Sequence, residues 1–129
     1  MNRDAMARMS EKDIDEYASF LGIQLADASS VDEKIALIER RRERCVSIPA
    51  MGCTFSIPIK HAHDKRIIDL MEKDHRSDDE TYEVMELLLG SDQMAELLSA
   101  CTDEDGVIDI DALGIAFVKI ITSEQLKNF

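Results

Sequence analysis

The chain has 129 residues, 45% apolar and 33% charged, a balance that suits a folded chain with its own core. Fifteen Lys and Arg stand against 27 Asp and Glu, a formal charge of −12, which excludes a general binder of the nucleic-acid backbone. No apolar run approaches the roughly 20 residues of a bilayer-spanning helix, Met1–Ser10 lacks an apolar export core, and the three cysteines, with no CxxC pair, read as reduced cytoplasmic thiols.

The charge is uneven. Residues 1–44 carry eight Lys and Arg against ten Asp and Glu, whereas residues 45–129 carry seven against seventeen. Two units with a boundary near Arg44 are therefore expected. In the first, Ile14, Tyr17, Ala18 and Leu21 form one apolar helical stripe. Ser10 is placed to cap that helix, and Gly22 to end it in a left-handed conformation. Ile23-Gln24-Leu25 alternates like an extended segment. Ser30 and Glu33 then form a capping box ahead of a helix with Val31, Ile35 and Ile38 inward. That helix runs into Arg40, Arg41, Arg42 and Arg44, cations suited to a helix C-terminus.

The middle changes period. Cys45–Ile48 and Thr54–Ile59 are rich in β-branched residues and alternate, with Pro49–Gly52 as the turn, which predicts a short β-hairpin. Pro58 cannot donate to a ladder, so the second strand is an edge or ends there. Beyond it a helix carries Ile67, Ile68, Leu70 and Met71. A Ser77–Glu80 capping box opens a helix with Val84, Leu87 and Leu88, which Gly90 closes. Ser91 or Asp92 is expected to cap a helix with Met94, Leu97 and Leu98 inward. After an acidic turn at Thr102–Gly106, Asp109 or Asp111 caps a last helix with Leu113, Ala116, Phe117, Ile120 and Ile121 on one face. The expected fold is α+β and mainly α: an N-terminal helical pair, a hairpin, then a bundle of about four helices.

Few constellations carry chemistry. Asp103–Asp109 resembles half of an EF-hand loop, but with Gly106 as the loop glycine the end positions fall on Cys101 and Ala112, neither of them a carboxylate ligand. The stretch therefore reads as an acidic lead into a helix N-terminus. His61 and His63 would share a face on a strand, yet no further ligand is recommended by spacing, so they read as a polar lead-in with Asp64 as a cap. Cys45 and Cys53 read as buried strand cysteines rather than nucleophiles. GxSxG, HExxH, P-loop and GxGxxG sequences are absent. No catalytic residue, metal ligand or cofactor is expected.

Tyr17–Leu25 followed by Val31–Ile38 is similar to the helix–extended-loop–helix modules of the SAP and LEM kind, which bind nucleic acid or protein. Residues 45–129 combine a hairpin, "IPIKHAHDKRIIDLMEK", a helix ending in Leu-Gly-x-x-Gln, an acidic Asp-Gly turn and a last apolar helix. That order resembles the tail assembly chaperones of long-tailed bacteriophages. The resemblance implies a small acidic helical protein of the bacterial host cytoplasm. It would bind the tape measure protein, hold it soluble, and help the tail tube protein polymerise around it. A chaperone of this kind needs exposed apolar helix faces and like charge to stay soluble. Met85 and Leu89, which widen the Val84–Leu88 stripe, and Met94 at the next helix start are the expected partner-binding residues, either for an amphipathic client helix or for a homo-oligomer. The alternative is an acidic adaptor or regulator whose N-terminal module touches protein or nucleic acid.

Overall fold

The computed structural model describes residues 1–25 and 30–127. It is mainly helical with one antiparallel hairpin, the α+β class that the pattern predicts. The chain divides at Arg44 into two compact units.

The N-terminal unit holds α1 (Arg3–Ala7), α2 (Glu11–Phe20) and α3 (Val31–Glu43). α1 is an addition to the expected pair: Asn2 caps it by accepting the Ala5 N–H, and it buries Met6. Five residues are too few to display a helical period, so this turn leaves no stripe to read. Ser10 caps α2 and Ser30 caps α3, accepting the N–H of Asp13 and of Glu33. α2 ends in a Schellman pair, with the Ile23 N–H on the Ala18 carbonyl and the Gly22 N–H on that of Ser19. Ile14 and Ala18 of α2 meet Ile35 and Ile38 of α3 around Met6, with Tyr17, Leu21 and Val31 at the margin. Lys34 ties the two helices together, donating to Glu11 at 2.8 Å and Asp15 at 2.9 Å. These hydrogen bonds raise its pKa. Residues 26–29, part of the expected extended loop, lie outside the described residues.

The second unit begins with β1 (Cys45–Ala50) and β2 (Cys53–Pro58), paired from Cys45↔Pro58 to Ala50↔Cys53. The turn is Met51-Gly52 alone, with φ of 50° and 80°, the left-handed pair of a type I′ turn whose twist matches the strands. Pro49, expected in the turn, therefore lies inside β1. Register explains how a two-stranded ladder accepts two prolines. Both the N–H and the carbonyl of Ser56 are bonded to the Gln93 side chain, so they point away from β1. Pro49 and Pro58 share that outward parity, where no ladder donor is lost.

Helices α4 (Ile59–Ala62), α5 (Lys65–Met71), α6 (Asp78–Leu89), α7 (Ser91–Ala100), α8 (Ile110–Ile121) and α9 (Glu124–Lys127) complete the unit. Pro58 ends β2, so Ile59 opens α4 rather than extending the strand, and His61 and His63 are not strand neighbours. The Ser77–Glu80 capping box is formed in both directions. Asp64 caps α5, and Asp109, not Asp111, caps α8. The cap of α7 is Gly90 rather than Ser91 or Asp92. A single residue joins α6 to α7, and its φ of 80° is one that glycine adopts without strain. The core gathers Ile48, Phe55 and Ile57 of the hairpin, Val84 and Leu88 of α6, Leu97 of α7, and Leu113, Ala116, Phe117 and Ile120 of α8. α6 packs against α5, α7 and β2, and α8 against β1.

Candidate partner-binding face

The three expected binding residues are not on the surface. Met85, Leu89 and Met94 are 4%, 3% and 2% exposed. α6 is contacted by α4, α5, α7 and β2, so a stripe wider than one face is covered from more than one side. Leu89 and Met94 therefore belong to the core and not to an exposed groove, and Met85 reaches solvent only through the floor of a cleft.

In the second unit uncovered apolar residues gather on α8 and just before it, with Ile68 of α5 and Tyr82 of α6 exposed besides. Asp109 starts this helix by accepting the N–H groups of Asp111 and Ala112. Leu113, Ala116, Phe117 and Ile120 face the core. Ile110, Ile115 and Val118 face outward and are 67%, 49% and 54% exposed. A helix that is apolar all round is ordinarily enclosed; this one is enclosed on one side. Val107 and Ile108, just before it, and Tyr82 of α6 are exposed as well. Between α6 and α8 runs a cleft of ≈180 Å³ lined by Asp78, Thr81, Tyr82 and Met85 on one wall and Ile110, Leu113, Gly114 and Phe117 on the other. Met85 thus reaches the cleft as part of its floor. Gly114 lies mid-helix, where glycine costs about 0.5–1 kcal/mol relative to alanine. A Cβ there would meet no atom within 4 Å. The pattern carried a signal for this face: Ile110, Ile115 and Val118 fall off the stripe assigned to the core, so the helix is apolar beyond what one core-facing side requires.

The remaining expected groups have structural work. Asp103 Oδ1 accepts the N–H groups of Asp105 and Val107 at 2.8 and 3.0 Å, and Thr102 bridges Ile108, so the acidic turn is folded on itself ahead of α8. Among the described residues no group of three or more His, Cys, Asp or Glu is arranged to hold a metal ion. His61 Nδ1 donates to the Leu88 carbonyl at 2.8 Å, joining α4 to the last turn of α6. Asp64 accepts the Arg66 guanidinium and N–H, and the guanidinium bond holds its carboxyl below the usual carboxylate range. Of the cysteines, Cys101 is buried and burial pushes its thiol up, Cys53 is partly covered, and Cys45 is exposed rather than buried as expected. The arginine cluster closes α3: Arg40, Arg41 and Arg42 fall in its last turn, and Arg42 donates to the Met1 carbonyl. In the N-terminal unit Phe20 is exposed beside Glu16 and Ser19 at the end of α2. Among the described residues no polar or charged side chain is buried, and no helix is long and apolar enough to cross a membrane. Comparison with family models, curated proteins and solved structures finds no match for this chain.

Proposed function

We propose that the chain is a non-enzymatic phage tail assembly chaperone, whose C-terminal unit binds the tape measure protein and holds it soluble during tail assembly. The observation that carries the reading is the outward face of α8. Ile110, Ile115 and Val118 present apolar surface on a unit with a large excess of carboxylates. Apolar surface without a partner inside the monomer marks an interaction site. Net charge keeps such a protein dispersed while the site is empty. The order of elements over residues 45–129 supplies the specific client through the family resemblance; the face itself supports binding of an apolar helix. The client meets α8 where the chain already ends its own packing, and no bond is made or broken.

The test is to find a neighbouring reading frame that encodes a long helical protein and to co-express the two. Alone, that product should aggregate; with the wild-type chain it should stay in the supernatant and co-purify. Ile115→Glu combined with Val118→Glu should leave the circular dichroism unchanged, because solvent-facing substitutions shift stability by only about 0.5 kcal/mol. The pair should nevertheless abolish co-purification. A client that stays soluble with the folded double variant, or a genome with no such neighbouring frame, would sink this reading.

A further inference from the structure

We infer that the cleft between α6 and α8 seats a cationic amphipathic helix, with an apolar side chain entering over Gly114 and Lys or Arg side chains meeting the carboxylates around the rim. This rests on the client-binding reading and adds the chemistry of the bound segment. The cleft, at ≈180 Å³, is smaller than the roughly 300 Å³ at which small-molecule sites begin. Its floor is Met85, Leu113 and Phe117, and its exposed lips are Tyr82 and Ile110. That shape takes a side-chain knob from a helix, as helix-in-groove recognition requires.

Gly114 is the second observation. Glycine weakens a helix interior relative to alanine, and here a Cβ would meet open space rather than a neighbour. Packing within the chain does not account for a missing side chain at this point. Close approach of a second backbone does, since a residue without a side chain lets two helices draw together.

Charge selects the partner. Asp78 lines the cleft. Asp79 and Glu86 are exposed, three residues before and four after Tyr82, and Asp111 is exposed next to Ile110. Arg76 lies over the Phe117 ring at 6.0 Å and keeps its charge, one cation against these four carboxylates, and Lys119 lies on the opposite side of α8 from Ile110. A second copy docked on the same surface would bring these carboxylates against their own kind. A helix with a basic polar face brings the opposite sign.

The experiment uses the full chain and two synthetic peptides of about 18 residues, long enough to form a helix. They share one Leu stripe; one carries Lys on its polar face and the other Glu. Calorimetry should show binding of the Lys peptide, weakened at least tenfold when salt rises from about 0.05 to 0.5 M, as screening shortens the reach of surface charge. The Glu peptide should not bind. Gly114→Leu, which fills the cleft, should weaken the Lys peptide at least tenfold with the fold intact by circular dichroism. Should that variant unfold, Glu86→Lys with Asp111→Lys decides instead, by shifting preference toward the Glu peptide. Equal binding of both peptides, wild-type affinity in folded Gly114→Leu, or self-association through the cleft would overturn the inference. If neither peptide binds while the client is still held soluble, the inference falls and the chaperone reading stands. If the Lys peptide binds in the cleft while the client aggregates regardless, the reverse holds.

Discussion

Met51 occupies the first position of the hairpin turn with φ of 50°, and no other described non-glycine residue has a positive φ. For an L-residue with a long side chain this conformation costs about 1–2 kcal/mol, and Asn carries less of that penalty because its short polar side chain bonds locally. Asn-Gly is also the preferred pair of a type I′ turn. Met51→Asn should therefore stabilise the chain by about 0.5–1 kcal/mol, read as a higher urea midpoint at unchanged m-value; no gain would mean that the turn is relaxed differently in solution. Two carboxyls are held low in the folded chain and contribute to the acid limb. Asp64 is held low by the Arg66 guanidinium, and Glu80 by the Lys73 ammonium and then by the Ser77 N–H of the capping box. A carboxyl whose folded pKa is depressed adds stability above its unfolded pKa and loses it as pH falls through the folded one. Stability should thus hold from neutral pH down to about 4.5 and decline below that. Asp64→Asn with Glu80→Gln should lower stability at pH 7 and flatten the decline. A decline of unchanged steepness would assign it to other carboxyls.

At the scale of elements, burial is decided by neighbours rather than by the stripe. Ile14 with Ala18 and Ile35 with Ile38 pack where their spacing predicts, because two amphipathic helices cover one another. The hairpin, the caps at Ser10, Ser30, Asp64 and Ser77, and the glycine between α6 and α7 were likewise legible, since each depends on local chemistry. The pattern makes Met85, Leu89 and Met94 look exposed, because a broad stripe looks like surplus. Which side of α6 meets α4, α5, α7 or β2 is a long-range property that no local period encodes. α8 shows the same limit from the other direction: its outward Ile115 and Val118 resemble core residues and lack a cover. A direct check is Met85→Lys with Leu89→Lys. Each substitution buries an unpaired ammonium at a cost of several kcal/mol, and together they exceed most of the ~5–15 kcal/mol that holds a domain folded. The C-terminal unit should lose its cooperative melting transition. A native spectrum with a melting temperature within a few degrees of wild type would return these residues to the surface.

For the molecule as a whole, the change of charge at Arg44 coincides with the division between units and with the change from helical to alternating period. The double use of Gln93 bears on everything the second unit meets. Its side-chain amide accepts the Ser56 N–H at 2.7 Å and donates to the Ser56 carbonyl at 2.8 Å and to the Leu89 carbonyl at 2.8 Å. The groups that Ser56 would offer to a third strand are thereby already answered by a side chain, and Pro58, one step along the same edge, has no N–H to offer. An extended polypeptide arriving along that edge finds Ser56 and the Pro58 nitrogen closed to pairing, and so a poor template. Over this stretch of β2 the hairpin edge is thus guarded by a side chain from α7 rather than by a third strand.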